Sequence, residues 1–158
     1  MINQPNLEEV RELFEKSRNS QRKRAIRIFQ DDSYEGPQAC LNVIQPESYV
    51  RPHFRYQDES IIFYNGRLCS LLFNNHGEIT DKFVLSKETP YLFLPKGTFQ
   101  SVVSLEKDSA IWMIIQGPHN PEKFSEYLPE SPDEKGDYKS YFEWLKKEAN
   151  IWDLYRIE

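Results

Sequence analysis

A chain of 158 residues is long enough for one domain to bury a core without disulfide or metal staples. Of its residues 39% are apolar and 14% aromatic, with Tyr and Phe each outnumbering Ala, which favours β-structure over an Ala/Leu-rich helical bundle. The formal net charge of -5 offers no basic balance for a nucleic-acid partner, and the local run Arg22, Lys23, Arg24 and Arg27 reads as a solvated surface or helix exit.

The opening MINQPNLEEV has neither the basic n-region nor the apolar h-region of a signal peptide. No window approaches the roughly 18 apolar residues of a membrane span, so a cytoplasmic protein without a membrane partner is expected. Residues 1–24 read as an N-terminal helical segment. Asn6 with Glu9 three residues on is a capping-box start, and Leu7, Val10, Leu13, Phe14 and Ser17 at helical spacing predict a helix over 7–18. A β-barrel is expected over 25–130, where short apolar runs alternate with turn signals such as YEGP, FNNHGE, SKETP and LPKG. Strands fall near 25–30, 39–45, 48–54, 59–64, 67–74, 79–85, 91–94, 99–105 and 109–116, and that many closely spaced strands make a sandwich or barrel. Cys40 and Cys69, with no CxxC spacing, read as reduced, buried small hydrophobes. His76 sits in a hairpin tip and His119 in an exit loop; both read as surface residues. Past QGPHNPEKF the strands are expected to stop, and PESPDEKGD reads as a connection rather than a second domain boundary. Residues 131–158 form a tail in which Tyr138, Tyr141, Phe142, Leu145, Ala149 and Trp152 recur at helical steps, an apolar stripe that packs on the barrel or on a partner subunit.

The stretch RPHFRYQDESIIFYNG, residues 51–66, carries the chemistry. Strand residues alternate faces, so His53, Arg55 and Glu59 project to one side if the strand continues without a bulge, with Phe54 and Tyr56 on the other. An inward Glu in a barrel is costly unless it is paired, hydrogen-bonded or bound to a cation. No Ser-His-Asp or Cys-His arrangement and no Gly-rich phosphate loop is present.

The string His53-x-Arg55-x3-Glu59-x6-Gly66 resembles the first cupin motif, H-x-H-x3-E-x6-G, and LPKGTFQSVVS resembles the second, with Pro95, Gly97 and Gln100 in register. The likeness extends to one branch, the WbuC family of cupin-fold metalloproteins, named for a protein encoded among O-antigen biosynthesis genes. It is carried by SRNSQRKRAIRIFQ, CLNVIQPESYVRPH, NGRLCSLLFNNHGEIT, LPKGTFQSVVSLE and QGPHNPEKFSEYLPESP. The resemblance implies a mainly β fold: a single cupin jelly-roll barrel with a short N-terminal helix and a C-terminal helix. It also implies a divalent metal (Fe, Mn, Zn, Ni or Cu) held at the positions that are His53, Arg55, Glu59 and Gln100 here.

Only His53 and Glu59 match that ligand set. A guanidinium has five donors and no lone pair, so Arg55 is no ligand, and the Gln100 amide oxygen is a weak donor beside imidazole. Arg55 instead supplies an internal cation that can neutralise Glu59. Three functions stay open. In the first, the barrel binds a small molecule such as a sugar or carboxylate through Arg51, His53, Arg55, Glu59 and Gln100, with no cofactor and with a link to polysaccharide biosynthesis. In the second, a metal-independent sugar epimerase or isomerase uses His53 and Glu59 as catalytic groups, with Arg55 steadying an enolate. In the third, a divalent ion is kept by His53, Glu59 and Gln100. Phe99, Val103, Leu105, Ile62 and Tyr64 are expected on outer faces that the terminal helices or a second subunit must cover, which suggests a homodimer.

Overall fold

The computed structural model describes residues 5–120 and 125–151. Helix α1 (Leu7–Asn19) begins at the capping box: the Glu9 backbone N–H donates to Asn6 Oδ1 at 2.9 Å, and the Asn6 N–H donates to the Glu9 carboxylate at 2.9 Å. Two orphan donors of the first turn are thereby satisfied reciprocally. Strands β1 (Arg24–Ile28), β2 (Pro37–Ile44), β3 (His53–Arg55), β4 (Glu59–Asn65), β5 (Leu68–Phe73), β6 (Ile79–Leu85), β7 (Tyr91–Leu94), β8 (Phe99–Ser104), β9 (Ser109–Gln116) and β10 (Ser125–Tyr127) follow, and helix α2 (Lys139–Ile151) comes last. The strands form two five-stranded sheets, β1-β2-β9-β4-β7 and β10-β3-β8-β5-β6, antiparallel throughout. The architecture is a single cupin jelly-roll barrel with one helix on each outer face.

Alternation along the strands builds three apolar layers. Ile44, Ile61, Leu68, Leu92, Val102, Ile111 and Met113 fill the space between the sheets. On the outside of the first sheet, Val10 and Leu13 of α1 pack with Leu41, Val43 and Ala110. On the outside of the second, Phe142, Leu145 and Ala149 of α2 pack with Cys69, Leu71, Phe99 and Val103, and Leu105 lies against the same cluster. The tail therefore docks on its own barrel, and α2 covers the outer face of β8 that needed cover. Trp152 of the expected stripe lies outside the described residues. On the other sheet Tyr64 meets Trp112 edge-on at 6.3 Å and stays partly exposed.

Three sequence expectations change. The strand expected over 48–54 shrinks to the three residues of β3, because Pro46 and Pro52 cannot donate to a ladder and residues 45–48 turn on a Ser48 N–H to Gln45 carbonyl bond of 3.0 Å. The strand from His53 through Glu59 is not continuous: β3 and β4 lie in different sheets, and residues 56–58 turn the corner between them. Finally, the strands do not stop past QGPHNPEKF, since β10 follows it and pairs with β3. Two motif glycines have a backbone reason. Gly66 has φ 71° and packs so closely that an added Cβ would lie 2.8 Å from Ser109 Cα; Gly97 has φ 80°, and its N–H donates to the Arg55 carbonyl at 2.9 Å. No helix among the described residues is long and apolar enough to cross a membrane.

Candidate functional site

The corner at 56–58 assembles the site. His53 of β3 stands directly opposite Gln100 of β8 in the second sheet, whereas Glu59 opens β4 in the first, paired with Leu94 and Ile115. Glu59 thus approaches Arg55 and Gln100 from the facing sheet. Of the residues expected to line one pocket, His53, Arg55 and Arg51 line a common cavity, whereas Glu59 and Gln100 are buried and are not among its lining residues.

Glu59 is 2% exposed. Its Oε2 accepts from Gln100 Nε2 at 3.1 Å and lies 3.4 Å from Arg55 Nε. Gln100 Oε1 accepts from Ser70 Oγ at 3.2 Å, so this amide places its NH2 toward Glu59 and its oxygen toward Ser70. The other Glu59 oxygen, Oε1, is buried with no hydrogen-bond partner among the described residues. Burial pushes the Glu59 carboxyl up, against Arg55 and Gln100, which hold it down. His53 Nδ1 lies 2.8 Å from the Arg51 carbonyl. A carbonyl only accepts, so Nδ1 carries the proton and Nε2 keeps the lone pair. Burial, followed by the neighbouring Arg55, pushes the imidazole down to about 4, so it is neutral at neutral pH. The Cys40 thiol is buried nearby, pushed up to about 12 by its burial, and feels the charges of Arg55 and Glu59.

A cavity of about 280 Å³ is lined by His53, Arg55, Asn42 and Met113, and also by Arg22, Arg24, Arg51, Tyr127 and Glu134. The last five are shared with a wider cleft of about 750 Å³, which makes them the cavity's mouth. Each guanidinium there is held in place. Arg24 donates to the Tyr49 carbonyl at 2.7 Å and to Glu134 Oε1 at 2.6 Å, and Arg22 Nε donates to Glu134 Oε2 at 2.9 Å. Arg51 donates to Ser131 Oγ and to Asp133 Oδ2, both at 3.0 Å, with its guanidinium 4.5 Å over the Tyr127 ring. Burial pushes Glu134 up, but Arg24 and Arg22 outweigh it and hold the carboxyl below its ordinary range.

The mouth corrects one expectation and supplies residues the sequence reading missed. Arg24, taken from the sequence as part of a solvated basic run, has a side chain only 14% exposed, whereas Arg22 remains 61% exposed. Tyr127, Asp133 and Glu134 were not singled out, because their partners lie far away along the chain and no spacing signals such a contact. His76 is not among the residues that line this cavity. Among the described residues no group of three or more His, Cys, Asp or Glu is placed to hold a metal ion.

The barrel is similar to several solved structures at identities that speak to the fold alone. Capsular polysaccharide assembling protein CapF from Staphylococcus aureus matches with 15% identity and a TM-score of 0.59 over 69% of this chain and 32% of CapF. The chain spans about a third of that protein's length. L-ribose isomerase from Cellulomonas parahominis matches with 11% identity and a TM-score of 0.56, covering 68% of this chain and 70% of the isomerase. Protein SO0799 from Shewanella oneidensis matches with 14% identity and a TM-score of 0.53, covering 85% of this chain and 87% of its own. No curated protein matches the sequence. One family model does, over residues 6–85, a stretch that runs from the cap of α1 through His53, Arg55 and Glu59 to the end of β6. The chain belongs to the family described as a domain of unknown function, DUF6016.

Proposed function

We propose that this cupin barrel binds a small polar metabolite, a sugar or carboxylate, without a resident metal. On this reading it is a cytoplasmic protein of the WbuC type serving polysaccharide biosynthesis. One observation carries the proposal: the Arg55 guanidinium lies 3.4 Å from the buried Glu59 carboxylate, at a position where the cupin motif has a metal-ligating histidine. The donor set does not fit a divalent ion. Arg55 brings a fixed positive charge to the carboxylate that a cation would need, and the Gln100 oxygen accepts from Ser70 while its NH2 faces Glu59. The cavity instead presents His53 and Arg55 to a ligand, with Arg51 at its mouth, while Glu59, itself held by Gln100, steadies Arg55 from its buried side. The quoted WbuC-like stretches and the likeness to a capsular polysaccharide assembling protein support the biosynthetic setting.

The test is metal content by plasma mass spectrometry after offering iron, manganese, zinc, nickel and copper in turn. The wild type is expected to carry none, and Arg55→His with Gln100→His to gain a stoichiometric ion. Near-stoichiometric metal in the wild type, lost in Glu59→Ala, overturns the proposal. A second reading has its own support. The neutral His53, with Nδ1–H fixed on the Arg51 carbonyl, presents Nε2 as a base for a metal-free epimerase or isomerase. Deuterium uptake from D2O at a sugar carbon, abolished in folded His53→Ala, would establish it; uptake that persists in that variant would exclude it.

A further inference from the structure

Four arginines, Arg22, Arg24, Arg51 and Arg55, line the 280 Å³ cavity with one carboxylate, Glu134; Asp133 on Arg51 and Glu59 on Arg55 bring the carboxylates to three and leave one positive charge in excess. Excess positive charge in a pocket focuses potential and favours an anion. The carboxylates that the protein itself presents show what kind of anion fits. Glu134 is gripped by two guanidiniums, one on each oxygen, at 2.6 Å from Arg24 Nη2 and 2.7 Å from Arg22 Nη2. Asp133 places one oxygen 3.0 Å from Arg51 Nη1. Both belong to the segment between β10 and α2, which leaves β10 at the rim of the cavity. The two contacts differ in strength. Arg24 is fixed from behind by the Tyr49 carbonyl and its pair with Glu134 is half-buried, whereas Asp133 is 61% exposed, so water and salt weaken its hold on Arg51. Arg51 is the opposite: its side chain is 16% exposed, clamped by Ser131 Oγ and the Tyr127 ring, and therefore preorganised for a planar partner.

We infer that the mouth is a carboxylate subsite: the ligand is a sugar acid or similar polyhydroxylated carboxylate whose carboxylate takes the place of Asp133 on Arg51, with its hydroxyl-bearing end toward His53 and Arg55. The inference rests on the proposed ligand-binding reading of the barrel and deepens it. Asp133 is the internal stand-in for the ligand's anion, and Glu134, left on Arg22 and Arg24, moderates the field that the ligand meets.

Calorimetric titration of the full chain with D-glucuronate, D-glucose, glucose 6-phosphate and inorganic phosphate tests it. Glucuronate is expected to bind about tenfold or more tightly than glucose, the scale of one charge-assisted hydrogen bond. Asp133→Asn and Glu134→Gln should each tighten glucuronate binding by about two- to tenfold, and Arg51→Gln should weaken it to the level of glucose. Asp133→Asn alters an exposed side chain, so its outcome stands even if Arg51→Gln fails to fold. Equal binding of glucose and glucuronate overturns the carboxylate subsite and leaves the ligand-binding reading intact. Tighter binding of glucose 6-phosphate or inorganic phosphate than of glucuronate overturns the choice of carboxylate. Glucuronate binding that depends on Arg51 but is unchanged in Arg55→Met keeps the subsite and removes the inner site from the reading. Binding of none of the four overturns the subsite.

Discussion

His53 gives the barrel an acid sensitivity whose sign can be worked out. Its ordinary value is 6.5, and in the folded protein burial, aided by Arg55, lowers it to about 4. As pH falls from neutral, the unfolded chain takes up this proton first, so stability present above about 6.5 is lost progressively down to about 4. The shift corresponds to about 3 kcal/mol, reduced toward 2 by the partial exposure of the ring. Glu59 acts in the other direction. Its carboxyl is raised by burial, so it favours the folded state below its folded value and stops doing so as pH rises past it. The two are separated by comparing urea denaturation of the wild type and His53→Gln at pH 7 and pH 4: the variant should lose about 2–3 kcal/mol less on acidification, and an identical loss would show that the ring is protonated in the folded state. At this scale much of the site was legible. His53, Arg55, Glu59 and Gln100 were visible because motif spacing fixes them on neighbouring strand ends. The mouth was not. Arg24 with Glu134 and Arg51 with Asp133 are side-chain encounters between remote segments, and nothing in local composition separates a guanidinium that is buried on a carbonyl from one in solvent.

Helix α2 shows which elements a sequence reveals. Its stripe at three- and four-residue steps was readable because docking requires an apolar face, and Phe142, Leu145 and Ala149 are indeed the buried positions. Lys82 reinforces the contact, donating to the Glu148 carboxylate at 2.7 Å and to its carbonyl at 3.0 Å. Leu145 is fully buried, so Leu145→Ala should cost about 3 kcal/mol through lost burial and the cavity left behind, whereas Lys147→Ala on the exposed side should stay within about 0.5 kcal/mol. Thermal or urea unfolding checks both, and a near-neutral Leu145→Ala would mean that α2 does not hold the face of β5 and β8. The short strands were the illegible elements. β10 is Ser125–Tyr127, with neither the length nor the alternation that marks a strand. Its place is set by the neighbour it finds, β3, which is itself three residues long between Pro52 and the corner. The corner was hidden for the same reason: unbroken spacing from His53 to Glu59 looks alike whether the chain runs straight or crosses from one sheet to the other.

At the scale of the whole molecule, the layers α1, sheet, sheet and α2 share side chains across every boundary. Leu41 and Val43 under α1 lie on β2 beside Cys40 and Ile44 of the inner core, so neither helix can leave without exposing a sheet. That arrangement distributes the two thiols usefully. Cys40 lies between the sheets and Cys69 under α2, both buried and neither in a disulfide, and a thiol pushed up to about 12, as Cys40 is, does not react as a thiolate in place. Each sulfur is therefore a clock that runs only while its own layer is open. Reaction with a chromogenic disulfide under native conditions should modify both at one common rate that rises with urea. Faster modification of Cys69 would reveal α2 lifting away on its own. Since Cys40 also senses the charges of Arg55 and Glu59, slower reaction of that thiol in the presence of a candidate metabolite would report occupancy of the lumen without any label having been added.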